Sequence, residues 1–273
     1  ISSRSMSPIS LGSMPMRELS STKYEKIWQL RMHPHGVVYN IAENLFVVKD
    51  YADLIQKHLA TNGLWEPELV ALVKSIAQQI MTKKGKCHLV NVGAHIGTIC
   101  IACASSVSRI SAFEPVKSNF EHLNLHRNLN AVTHMTTYNF ALSDHTHNSK
   151  IVFNEKNTGG CHVVSTDEIE NNIRHAQNHI RNASVECVPL DEIDFNETVD
   201  IMLIDIEGHE ERFLKGAENT LRTNLPVIII EIWTDQKRKH ENMPTSQHEM
   251  IQKISAFGYT TVKQVGVDTF VFF

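Results

Sequence analysis

The chain contains no hydrophobic run long enough to cross a bilayer. Its longest, Leu225 to Trp233, is interrupted by Glu231 and falls far short of the roughly 20 residues a span needs. It also lacks an excess of basic charge. Against 30 Asp and Glu stand 26 Lys and Arg, a formal net charge of -4, which leaves no field for gripping a polyanionic backbone and removes nucleic acid as an expected partner. Cysteine is scarce: Cys87, Cys100, Cys103, Cys161 and Cys187, an odd number in a 273-residue chain large enough to fold without staples. Free thiols and a reducing compartment, the cytoplasm, are the expectation. The opening segment, ISSRSMSPISLGSMPMREL, starts on Ile1 rather than Met and has no apolar signal core, so the start reads as trimmed or processed.

What is present is an ordinary globular composition, 42% hydrophobic and 21% charged, sufficient for a substantial core. Sixteen histidines stand out and suggest a metal protein, a pH-sensitive one, or neither. Residues 1 to about 20 are rich in Ser, Met and Pro without an apolar period and read as a flexible arm. From Tyr24 to about Ala60 helical patterns surround a short strand, Leu45–Val48, forming an N-terminal cap. Residues 1–60 are thus expected to be arm and cap, with the main domain spanning 61–273. Trp65-Glu-Pro-Glu68 opens a helix with Pro67 in its first turn and an apolar face of Leu69, Leu72, Val73, Ile76 and Ile80, stopped by Gly85.

From Cys87 onward, apolar runs alternate with helical periods. Strands are expected at 88–92, 110–113, 136–140, 151–153, 185–188, 200–204 and 227–230, and helices at about 96–107, 118–130, 210–221 and 246–257. Two further strands flank Gly266. The solid runs at 200–204 and 227–230 mark strands buried on both faces of a parallel sheet. The alternation, closed by a hairpin, predicts an α/β, Rossmann-like doubly wound sheet. Ser165 to Ala183 breaks the rhythm: a capping pair, Ser165 and Glu168, and a thin apolar line predict a polar helix, either a surface helix or a lid.

In open parallel sheets, ligands bind outside the carboxyl ends of the strands. After the first main strand comes Gly93-Ala-His-Ile-Gly97, where two glycines let backbone approach a ligand at a helix start. After the second comes Glu114, placed to accept both hydroxyls of a ribose. A dinucleotide site needs a middle glycine where this chain has His95. Walker, G-x-S-x-G and H-E-x-x-H motifs are all missing. A nucleoside cofactor without phosphate, S-adenosylmethionine, suits this turn better than NAD. Cys100-Ile-Ala-Cys103 has redox spacing but lies among core positions of a helix. His33-Pro-His35 and His145-Thr-His147 fall in loops and read as solvated.

The blocks VNVGAHIGT, AFEP with Asn119-Phe120, NFALSD, NTGG, PLDEIDF, VDIMLIDIEGHEERFLKGAENTL and PVIIIEIW occur in that order. From about Trp65 to Phe273 they resemble the FkbM family of S-adenosylmethionine-dependent methyltransferases. The resemblance implies a seven-stranded, mostly parallel class I methyltransferase sheet with a C-terminal antiparallel hairpin. It also implies methyl transfer to a hydroxyl of a sugar, a glycan or a small natural-product-like acceptor. By position, Gly93, His95, Gly97 and Thr98 would border the methionine part of the cofactor. Glu114, with Pro115 beside it, would hold the ribose, and Asn139, Ala141 and Leu142 would line the adenine. The family usually carries an acid at the place of Asn91 and an asparagine at that of His95. Glu66 or Glu68 is the replacement acid, or else both serve only the helix dipole.

For the chemistry, Asp205 is the favoured base or acceptor-orienting group, with His209 second and Glu207 between them. Glu231 is a candidate for holding acceptor hydroxyls. A divalent metal on Asp205, Glu207 and His209 has suitable ligand types but is not favoured. Two alternatives remain open: a degenerate methyltransferase fold acting as a binding scaffold, and an NAD-linked oxidoreductase.

Overall fold

The computed structural model describes residues 17–21, 26–33, 35–154, 157–164 and 180–273. It opens with β1 (Arg17–Ser21), β2 (Lys26–His33), β3 (Gly36–Ile41) and β4 (Asn44–Val48), an antiparallel sheet paired in chain order. Part of the arm expected to lack structure is therefore strand. The helical patterns expected from Tyr24 are realised only at their end, as α1 (Leu54–Thr61), N-capped by Asp53, whose Oδ1 accepts Gln56 N–H at 2.9 Å. In β3 the β-branched and aromatic run Val37-Val38-Tyr39 favours an extended chain over a helix.

α2 (Pro67–Lys84) follows the sequence expectation, with Pro67 in its first turn and Gly85 ending it at φ 71°. The remaining elements are β5 (His88–Val92), α3 (Thr98–Cys103), β6 (Arg109–Phe113), α4 (Lys117–Leu129) and β7 (Met135–Tyr138). Then come β8 (Ala141–Leu142), β9 (His147–Asn154), β10 (Asn157–Val164) and β11 (Ile180–Val188). The last third holds β12 (Ile201–Ile204), α5 (Glu210–Gly216), α6 (Glu218–Asn224), β13 (Val227–Glu231), α7 (Asp235–His240), α8 (Gln247–Ser255), β14 (Val262–Gln264) and β15 (Thr269–Phe272). The single helix expected over 210–221 is broken at Ala217. Of the helix expected over 165–183, residues 180–183 begin β11 instead, and 165–179 lie outside the described residues.

The main sheet has seven strands in the order β14-β15-β13-β12-β5-β6-β7. β13, β12, β5, β6 and β7 are parallel, and β15 and β14 close the edge as an antiparallel hairpin. The period of two along each strand divides its apolar residues between two cores. Leu89, Ile201 and Leu203 face one cluster with α2, α3 and α4; Val90, Val92, Met202 and Ile204 face another with α5, α6 and α8. Helices on both faces explain why these strands read as unbroken apolar runs. β8 to β11 form a smaller sheet in the order β10-β9-β11-β8. Tyr39, Ile41, Phe46, Val48, Ile55 and Leu59 of the cap belong to the first cluster, so this part of the cap shares the core of the main sheet. Among the described residues no helix is long and apolar enough to cross a membrane.

Candidate functional site

A cleft partly open to solvent lies at the carboxyl edge of β5, β6 and β12. The turn after β5 forms its floor. Gly93 and Ala94 donate their N–H groups to the Phe113 carbonyl, tying this turn to the end of β6. Gly93 has φ 86°, and a Cβ there would stand 1.9 Å from the Asp205 carbonyl oxygen, so only glycine lets the turn lie against the end of β12. His95 takes a left-handed φ of 50°, and its N–H donates to Glu114 Oε2 at 2.9 Å. Glu114 Oε1 accepts Val116 N–H at 2.8 Å. Each carboxylate oxygen thus holds one backbone donor and keeps lone-pair capacity for a ligand hydroxyl. Burial pushes the Glu114 carboxyl up to about 7 even though these hydrogen bonds pull the other way.

The opposite wall is the turn after β12. Asp205 N–H donates to the Val92 carbonyl, holding β12 against β5 at the point where the cleft opens. Glu207 and Gly208 both have positive φ, 50° and 95°, which reverses the chain within two residues. A Cβ at Gly208 would press on the Trp233 ring at 3.0 Å. Asp205, Glu207 and His209 all border the cleft. By surface area Asp205 is an exposed residue, and it opens onto the cleft. Its carboxyl is held well above the usual range, by burial first and then by the negative charges of Glu231, Glu207, Glu66 and Glu210. Glu231 is pushed up to about 8 by burial and by Asp268 and Glu207. Glu66, at the N-terminus of α2, is raised by burial and by Asp268. Burial lowers His209 to about 4, so its ring is neutral at pH 7, with Nε2 3.0 Å from Ser143 Oγ. Lys237 Nζ lies 3.4 Å from Glu207 Oε2 and 3.7 Å from the centre of the Trp233 ring.

Of the residues expected to contact a cofactor, Glu66, Asn91, Gly93, His95, Thr98, Glu114, Pro115, Ala141 and Leu142 border this cleft. Gly97 and Asn139 do not. Gly97 packs on Leu123 at the start of α3, and Asn139 uses its Nδ2 to bind the carbonyls of Glu114 and Pro115. Asn139 thus braces the loop that carries Glu114. Glu231 also lies off the lining and acts on it through charge. Glu68 is an exposed first-turn acid of α2, away from the cleft, whereas Glu66 lines it. Asn91 donates from Nδ2 to Cys100 Sγ at 3.1 Å. Sequence reasoning missed the apolar lining: Ile55 from the cap, Trp65, Phe113, Phe140, Ile151 and Ile206. Trp65 beside Glu66 was the available signal. Ile55 carried none, because only the folded cap brings it to the sheet edge.

The family profile described as the methyltransferase FkbM domain matches residues 91–261, more than half of the chain. No curated protein sequence matches the chain. Among solved structures, it is similar to the FkbM methyltransferase of Methylobacillus flagellatus KT, with 18% identity and a TM-score of 0.45 over 82% of this chain and 53% of that one. The match thus spans about half of that protein's length. A precorrin-6y C5,15-methyltransferase from Geobacter metallireducens GS-15 aligns at 13% identity and TM-score 0.42, over 75% of this chain and 85% of that one. The N-methyltransferase NodS from Bradyrhizobium japonicum WM9 aligns at 7% identity and TM-score 0.44, over 76% of this chain and 93% of that one.

Proposed function

Because the chain belongs to the FkbM-domain methyltransferases, we propose that its cleft binds S-adenosylmethionine and directs methyl transfer to a hydroxyl of a sugar, glycan or small natural-product-like acceptor. When bound, that cofactor supplies an electrophilic methyl group on a positively charged sulfur. The residues present fit it. The glycine cradle at Gly93 leaves room for nothing larger, Glu114 offers two partly engaged oxygens to a diol, and Phe113, Phe140 and Leu142 give an apolar wall for a base. The carboxylates of Glu66, Asp205 and Glu207 favour a cation between them. In this reading Glu66 provides at the mouth of the cleft the acid that Asn91 does not.

The observation that carries the choice of an alcohol is Asp205: a carboxyl of raised proton affinity in the same cleft as the glycine turn and Glu114. An alcohol must lose its proton to become an effective nucleophile, whereas a neutral amine need not. A positive charge held beside Asp205 favours its ionised form, and the ionised group then accepts the hydroxyl proton. His209, neutral and anchored on Ser143, is placed to orient the acceptor. Glu231, when ionised, raises the proton affinity of Asp205 further.

The test is incubation with labelled S-adenosylmethionine and fractionated glycans and small molecules, followed by mass spectrometry of what gains a methyl group. Asp205→Asn should lower kcat by about 10²- to 10⁴-fold while leaving S-adenosylhomocysteine affinity within a few fold. Unchanged turnover in that variant would remove Asp205 from the reaction. Cofactor binding with no transfer to any acceptor would favour the scaffold reading.

A further inference from the structure

The chain leaves β8, which brings Ala141 and Leu142 to the cleft, through a bend over Ser143–Thr146, and there three side chains meet outside the site described above. One carboxylate oxygen of Asp144 and one ring nitrogen each of His145 and His147 lie within 4.8 Å of one another. The two imidazoles stack, with centroids 4.2 Å apart and 20° between their planes. His145 lies in the bend before β9 and His147 is the first residue of that strand.

The second hydrogen-bond layer has the form that metal-binding histidines need. His147 Nδ1 lies 2.8 Å from the His145 carbonyl oxygen, which can only accept, so Nδ1 carries the proton and Nε2 the lone pair. His145 Nδ1 lies 2.9 Å from Asp144 Oδ1, so these two donor atoms already stand about as close as ligands of one shared ion. Asp144 is itself held by Ser143 Oγ at 3.1 Å, and shares its charge with Arg212 NH1 at 3.9 Å.

We propose that Asp144, His145 and His147 form a binding site for a first-row divalent transition ion such as Zn²⁺, with water completing the shell. Two nitrogens and one carboxylate select such an ion over Mg²⁺ or Ca²⁺, which take oxygen ligands. Tetrahedral coordination brings donors to roughly 3.3 Å from one another, given metal–ligand bonds of about 2.0 to 2.2 Å. The His145 side chain, which would have to turn to close that spacing, is 62% exposed. The ion would sit one hydroxyl away from the cleft, since Ser143 Oγ bridges Asp144 Oδ1 and His209 Nε2. It is separate from the carboxylates of Asp205 and Glu207, and the proposal does not depend on the identity of the methyl acceptor.

The experiment uses the full chain without an affinity tag and Co²⁺ as the probe, followed by its visible ligand-field absorption. Wild type should take up one equivalent that Zn²⁺ displaces and Mg²⁺ does not. The His145→Ala, His147→Ala double variant should bind at least about ten-fold more weakly. Asp144→Asn, with circular dichroism confirming its fold, should also weaken binding, which keeps the test decisive should the double variant misfold. No Co²⁺ uptake by wild type, or unchanged affinity in both variants, overturns the proposal.

Discussion

Glu210 is 1% exposed beneath the Glu207-Gly208 turn, where Oε1 accepts Gly208 N–H at 2.8 Å. Burial raises its carboxyl to about 7. Below the ordinary carboxylate range it is neutral whether the chain is folded or not. As pH rises, the unfolded chain ionises first, so the stability this residue contributes is lost progressively until its folded pKa is passed. Against wild type, Glu210→Gln should therefore gain about 3 kcal/mol between pH 4.5 and 7.5, and no more above that. Denaturation of both proteins across that range measures it; a constant difference would contradict the assignment. Comparing the two proteins cancels the opposite trend of the histidines. At this scale the sequence was informative where residues follow a strand end: Glu114 and Asp205, each just past a strand, both border the cleft. It was silent on histidine. His122 and His126, 3% and 0% exposed, carry no signal in the sequence and are buried hydrogen-bonding groups, because burial of a polar ring depends on partners distant in sequence.

Those partners belong to the cap. His126, on α4, has Nε2 2.9 Å from Val47 N of β4 and Nδ1 2.8 Å from the Ile96 carbonyl oxygen. The Val47 N–H must donate to Nε2, so Nδ1 is the protonated nitrogen and donates to Ile96. One neutral imidazole thereby joins the cap sheet, α4 and the glycine turn of the cleft. His122 Nε2 adds a contact to the Val47 carbonyl at 2.8 Å. His126→Ala would strand a buried donor and a buried acceptor, costing about 2 to 5 kcal/mol of stability in denaturant titration. It should also weaken S-adenosylhomocysteine binding, because Ile96 lies within the turn after β5. Stability within 0.5 kcal/mol of wild type, to an order of magnitude the range of a neutral surface change, would show that the imidazole is not a structural link. Burial lowers the His126 pKa to about 4 against the opposite pull of its two backbone partners, so this link is intact above the ordinary histidine range and is lost as pH falls through about 4. The elements of the main sheet were legible because each apolar run follows one period. The cap was misread because its strands carry short, mixed runs whose pairing is settled only by the sheet they form and by α4 beneath it.

At the scale of the whole molecule, the cleft is assembled by distant parts of the chain. Ile55 and Glu66 come from the N-terminal side, Gly93 to Glu114 from the first parallel strands, and Asp205 to His209 from β12 and its turn. Topology predicted that these strand ends converge, since parallel strands with helical crossovers place all their carboxyl ends on one edge. It did not predict the apolar wall, which depends on side chains from the smaller sheet and the cap. In the proposed function this one cleft is the cofactor site and Glu114 anchors the cofactor there. Calorimetric titration with S-adenosylhomocysteine tests it most directly, on wild type and on Glu114→Ala. Wild type should bind one equivalent and the variant should bind about 10- to 100-fold more weakly, the loss of about 1.4 to 2.7 kcal/mol expected for hydrogen bonds to a charged group. No binding by wild type, or equal affinity in the variant, would contradict it.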